Sequence, residues 1–145
     1  MRTRWTALVT ILLAVSACAT QTIRPQSAVS AVAPQMTVER FLQAANARDL
    51  HGMGRLFGTA DGDYMENRRR QDVELQMEAI SSVLRHEDYR IVREEMVAGR
   101  DHPTQRVVVT MTIGGRSIQN VPFEVVETND GRWLVQNVNL EVVMR

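Results

Sequence analysis

The sequence contains no lysine; all seventeen of its basic residues are arginine. That excludes a lysine nucleophile and a Walker-type loop, whose lysine reaches the phosphates. A single cysteine, Cys18, excludes an intramolecular disulfide framework and a cysteine-rich metal site. Excess charge of either sign is also missing, because seventeen acidic residues balance the arginines. Phosphate affinity depends on excess cations, so nucleic acid is not expected as a partner. No apolar run approaches the roughly 20 residues that a bilayer-crossing helix needs. What remains is an ordinary globular composition, 44% hydrophobic and 23% charged, in 145 residues, which suffices for one domain. No internal repeat is visible.

The first residues read as an export signal. Arg2 and Arg4 precede an apolar run from Trp5 to Val15, within the usual length of about 7–15 residues for a signal core. The stretch Val15-Ser16-Ala17-Cys18 that follows resembles the bacterial lipobox, an aliphatic residue and two small ones before a cysteine. The resemblance implies cleavage between Ala17 and Cys18, a diacylglyceryl thioether on Cys18 and acylation of the new amine. Residues 1–17 would then be signal peptide, and the bilayer would be the first partner, through acylated Cys18. The alternative is an ordinary secretory signal cut at Ala17 or Ala19, leaving a spare thiol. Each buried CH₂ contributes only about 0.8 kcal/mol, and the three chains of a mature lipoprotein suffice for stable attachment. Ala19, rather than an acidic residue, follows the cysteine. By the lipoprotein sorting pattern this favours the outer membrane of a bacterial envelope, with the domain facing the periplasm.

Residues 18–35, rich in Ala, Ser, Thr and Gln with Pro25 and Pro34, show neither helical nor strand period and read as a flexible tether. The domain is expected over 36–145. Thr37 reads as an N-cap, and Val38, Phe41, Leu42 and Ala45 form an i, i+3, i+4, i+7 stripe. Asp49 ends this helix and can cap a second, carrying Leu50, Met53, Leu56 and Phe57 and closed by Gly58. After a loop over 59–63, a longer helix is expected from Glu66 to Arg85, with Val73, Met77, Ile80 and Leu84 on one face. The period then changes to 2, giving strands from Tyr89 to Val97, Arg106 to Ile113, Ser117 to Glu127 and Arg132 to Val143. Gly114-Gly115 and Asn129-Asp130-Gly131 supply hairpin turns, and Pro122 marks an edge position or a bulge. The fold class is α+β, three N-terminal helices packed on a curved four-stranded antiparallel meander.

That order, with the phrases Val38-Glu39-Arg40-Phe41-Leu42-Gln43-Ala44-Ala45-Asn46-Ala47-Arg48-Asp49 and Asp130-Gly131-Arg132-Trp133-Leu134-Val135-Gln136-Asn137-Val138, resembles the NTF2-like (SnoaL-like, cystatin-like) family over roughly 36–145. The resemblance implies a cone in which the sheet wraps the helices and a pocket opens at one end. Its members include isomerases, dehydratases and epoxide hydrolases, and also non-catalytic envelope lipoproteins, so the fold alone does not choose a function. Neither the aspartate base with a tyrosine–acid pair nor the Asp-Arg-Asp trio of the enzymatic members maps onto this chain position by position.

The residues themselves offer little chemistry. Asp63-Tyr64 and Asp88-Tyr89 sit at element boundaries, where an aspartate caps or turns. His51, His86 and His102 share no ligand spacing, and Glu74 and Glu78, though one turn apart, lack the histidines of a di-metal site. No catalytic residue, metal site or cofactor is expected. Arg68-Arg69-Arg70 is the one local charge cluster, a candidate contact for an anion or partner; the bland reading pairs Glu66 with Arg70 and Arg69 with Asp72. Val107, Val109, Met111, Ile113, Val121, Phe123 and Val125, with Met77, Ile80 and Leu84 of the long helix, would line an apolar interior. Trp133 is expected in the core. The leading expectation is therefore a lipid-anchored, non-catalytic module that binds a small apolar ligand or another envelope protein. The competing one is an isomerase or hydrolase acting on a hydrophobic substrate; a third is a self-filled domain that works through its outer surface.

Overall fold

The computed structural model describes residues 26–145, so the signal segment 1–17, Cys18 and the start of the tether lie outside the described residues. Helix α1 runs over Gln26–Ala47, ahead of the expected start at Met36, so that residues 26–35 of the stretch read as tether are helical. Thr37 accordingly does not cap. It is buried in mid-helix, where its hydroxyl donates to the Ala33 carbonyl one turn back (2.9 Å), a bond that satisfies a hydroxyl without ending a helix. The helix ends at Arg48, whose φ is +53°. Arg48 N–H donates to Ala45 O and Asp49 N–H to Ala44 O, the paired bonds of a Schellman stop. Asp49 then caps α2 (Leu50–Leu56), accepting from the Gly52 N–H at 2.9 Å, as its position predicted.

The expected loop over 59–63 holds a small antiparallel pair, β1 (Gly58–Thr59) and β2 (Gly62–Asp63). Gly58 is required here for space: a Cβ would lie 2.3 Å from the Gly62 carbonyl oxygen. It is not the left-handed helix stop that its place in the sequence suggested. The helix expected from Glu66 is interrupted: a single turn, α3 (Tyr64–Asn67), is followed by extended backbone at Arg68 and Arg69 before α4 (Arg70–Leu84).

Four strands follow, β3 (Asp88–Met96), β4 (Thr104–Ile113), β5 (Arg116–Glu127) and β6 (Trp133–Val138), in an antiparallel sheet of order β3-β4-β5-β6. Gly114 and Gly115, both at positive φ, turn β4 into β5. Pro122 lies in an inner strand opposite Val108. Its carbonyl accepts from the Asn139 N–H, so its missing N–H faces the side on which β6 has already ended, and no ladder bond is lost. Beside it, Asn120 at φ +59° lies where the β4–β5 register shifts. The last strand is shorter than expected. Beyond Asn139 the chain forms α5 (Leu140–Met144), which buries Val143 rather than Val142.

One core unites these elements. The stripe Val38, Phe41, Leu42, Ala45 of α1 and the stripe Val73, Met77, Ile80, Leu84 of α4 are buried, as their spacing predicted. They meet Val107, Val109 and Met111 of β4, Val121, Phe123 and Val125 of β5, and Val135 of β6. Trp133 does not join them fully. It is half-buried at the start of β6, while Leu134 and Val135 are buried. Truncating the fully buried Phe123 to alanine is therefore expected to cost about 3–5 kcal/mol, roughly 12–20 °C in thermal midpoint. Trp133→Ala should cost less than half as much, and calorimetry on the two variants compares them directly.

Candidate functional site

The interior expected to hold an apolar ligand is closed by its own side chains. Val107, Val109, Met111, Val121, Phe123, Val125, Met77 and Leu84 are each fully buried, and Ile80 is 7% exposed, all within one cluster. The grooves resolved among the described residues lie on the surface.

Of the boundary residues, Asp63 is the one placed in an unusual environment. Its side chain is fully buried and both carboxylate oxygens are used. One accepts from the Glu66 N–H (3.1 Å), capping α3, and the other faces the Arg132 guanidinium at 3.1 Å. The same guanidinium reaches Asp130 at 2.8 Å and Glu66 at 3.5 Å. Asp130 also takes a hydrogen bond from the Thr128 hydroxyl. That bond, and then the contact with Arg132, hold the Asp130 carboxyl below its usual range, while Asp130 and Asp63 raise Arg132 further. The cluster thus joins the β5–β6 turn to the loop before α3. It is closed on itself: Arg132 is shared by three carboxylates, and Asp63 has no lone pair aimed at open space. Its chemistry is structural.

Asp88 is exposed at the first position of β3. Tyr89 beside it is half-buried, and burial, then Glu39 and Asp88, push its hydroxyl pKa up, which makes it a weaker acid. The three histidines stand on separate elements. His51 lies exposed on α2, His86 follows α4 with its ring beside Asn46 and Tyr89, and His102 precedes β4. Among the described residues no group of three or more His, Cys, Asp or Glu stands together as a metal site. Glu74 and Glu78 each hold an arginine instead, Arg70 at 2.7 Å and Arg48 respectively.

Arg68, Arg69 and Arg70 are exposed in the break between α3 and α4, and each is occupied separately. Arg68 lies over the Tyr64 ring at 3.7 Å, Arg69 pairs with Asp72 at 2.8 Å as expected, and Arg70 pairs with Glu74. The anticipated Glu66–Arg70 pair is replaced by Glu66–Arg132, because the extended backbone at Arg68 and Arg69 interrupts the helical spacing that would have aligned them.

Two further surface features were not anticipated. On the sheet face away from the helices, Arg93, Glu95, Arg106, Glu124 and Asn120 line a polar groove of about 330 Å³. Its charges neutralise one another, Arg93 with Glu95, and Arg106 and Arg100 with Glu124. The second, about 350 Å³, lies between α1, α2 and the start of β6. Met36, Leu56, Trp133 and Leu134 give it an apolar lining, and Arg40, Arg55 and Arg132 add three cations. No local spacing pointed to it, because its residues come from three distant parts of the chain.

Comparison with protein-family models and with curated proteins returned no match. The functional reading therefore rests on the residues themselves.

Removing Arg132 leaves a buried carboxylate without its cation. Arg132→Ala is expected to destabilise by about 2–3 kcal/mol, below the usual cost of breaking a buried pair because the arginine is 42% exposed. Arg132→Lys should recover part, since an ammonium cannot reproduce the fork. Urea midpoints measure both. Asp130, with its folded pKa lowered, contributes above the ordinary carboxylate pKa and loses that contribution as pH falls through the lowered value. The amide shifts of Thr128 and Gly131 should therefore move below about pH 4 in the wild type and stay still in Asp130→Asn.

Proposed function

We propose that this protein is a membrane-anchored lipoprotein of a bacterial envelope whose single domain acts as a non-catalytic interaction module. The observation that carries the anchoring is the place of the only cysteine, at the end of Val15-Ser16-Ala17-Cys18 behind an export signal. Cleavage before Cys18 leaves residues 18–25 as the link to α1. The outer membrane is the favoured address, on the strength of Ala19. Among the described residues no helix is long and apolar enough to cross a membrane.

Support for an interaction role comes from the filled interior. A domain whose core side chains occupy the space between helices and sheet meets its partners at the surface. The helices ahead of a four-stranded antiparallel meander support the NTF2-like resemblance, and the cone is here read as self-filled. Asp63, Tyr89 and the histidines are each engaged or isolated, which favours binding over acid–base chemistry. Arg68, Arg69 and Arg70 remain a candidate contact for an acidic partner, which would compete with Asp72 for Arg69 and with Glu74 for Arg70 and meet Arg68 over the Tyr64 ring.

Metabolic labelling with a palmitate analogue tests the anchor. Wild-type protein is expected to take up label and to yield a mature chain starting at Cys18. Cys18→Ala should take up none and keep residues 1–17, because lipoprotein processing requires the modified thiol. A labelled Cys18→Ala protein, or an unlabelled wild type cut at Ala19, would remove the lipoprotein reading.

A further inference from the structure

The groove between α1, α2 and the start of β6 combines features that no other described surface shares. Its floor is apolar, built from Met36 (40% exposed), Leu56 and the half-buried Trp133. Its charged lining residues are Arg40, Arg55 and Arg132, with no aspartate or glutamate among them, in a chain whose overall charge is zero. Arg132 is committed to Asp63, Asp130 and Glu66. Arg40 and Arg55 are not: both are exposed, and among the described residues neither forms an ion pair. In the other exposed arginine cluster, Arg69 and Arg70 pair with Asp72 and Glu74, and Arg68 stacks over the Tyr64 ring.

We propose that this groove binds the headgroup and upper acyl region of an anionic phospholipid at the membrane surface. Two unpaired guanidiniums offer forked donors suited to a phosphate. An indole flanked by methionine and leucine suits the boundary between headgroup and acyl chain, where Trp is favoured. Position agrees with chemistry. Ala33 and Met36, near the start of α1, line the groove, and Ala33 lies about 10 Å along the helix from Gln26. The stretch from Cys18 to Gln26 spans at most about 26–29 Å, so the groove can reach the bilayer that holds the anchor. This approach geometry rests on the lipoprotein reading; the affinity of the groove does not. Cleavage before Cys18 removes Arg2 and Arg4 and leaves the anchored chain with two negative charges in excess, so it gains nothing from an anionic surface as a whole, and two local cations at the anchored end would instead set which face it turns to the membrane.

The full chain carrying Trp5→Phe, so that Trp133 is its one indole, is titrated in nonionic detergent with phosphatidylglycerol or phosphatidylcholine in mixed micelles, with indole emission as the readout. Phosphatidylglycerol should give a saturable blue shift that Trp133→Phe abolishes and that weakens at high salt. Phosphatidylcholine should give none. At about fivefold per arginine, Arg40→Gln with Arg55→Gln should weaken the response roughly 25-fold. Arg90→Gln with Arg116→Gln, equal in charge lost but outside the groove lining, should leave it unchanged, and thermal melts of both double variants check the fold. Equal response to the two lipids would overturn the proposal. So would equal weakening by the two double variants, which would mean diffuse attraction, or the same shift with inorganic phosphate alone, which would mean a free-anion site. Because the titration does not involve Cys18, failure of acyl labelling would leave its outcome standing.

Discussion

A carboxylate buried without water must find its solvation in the protein, and Asp63 finds it in two places at once. The Glu66 amide holds one oxygen and the Arg132 guanidinium faces the other, so the residue couples a helix start to a turn 69 positions away in sequence. Neighbouring backbone contacts run in parallel: Phe57 bridges Val135, and the Asn129 N–H donates to the Ala60 carbonyl. Together they fix the edge of the sheet against the helical half. Desolvation makes the arrangement intolerant on one side, since loss of Arg132 leaves the fully buried Asp63 carboxylate without its cation. The position of Trp133, next in the chain after Arg132, follows from that anchoring, and so does the groove that it lines.

Periodicity made most of the architecture legible. The two helical stripes, the Gly-Gly hairpin and the order of strands all follow from local spacing, and each carries its signal within a dozen residues. The departures have a common cause: a local signal was outweighed by a contact made elsewhere. Thr37 reads as a cap because its hydroxyl can bond the backbone, and in α1 it does so backwards to Ala33. The tail 140–144 is too short for its apolar residues to distinguish period 2 from period 3, and packing of Val143 decided for the helix. The break at Arg68 and Arg69 follows a turn that the Asp63 cap starts and that the Tyr64–Arg68 stacking closes.

The surface was less legible than the core. Asp63 was recognised as a boundary residue, yet nothing near it in the chain announces Arg132. Arg40 and Arg55 belong to no motif; they share a groove because α1 and α2 fold side by side. A sequence records which arginines exist, whereas the fold decides which have acids beside them. Here two of the conspicuous run of three, Arg69 and Arg70, have acids beside them, and among the described residues the two scattered arginines do not.

The outer edge strand, β3, matters in a further way. Its register against β4 shifts between Ile91 and Arg93, and it carries Arg90, Arg93, Glu94 and Glu95. Such a kinked, charged margin is a poor template for a second chain. Proteins held on a bilayer, as proposed here, meet one another in two dimensions, where encounters are frequent and orientations are limited. An edge of this kind lets many copies crowd the same patch of membrane without stitching their sheets together.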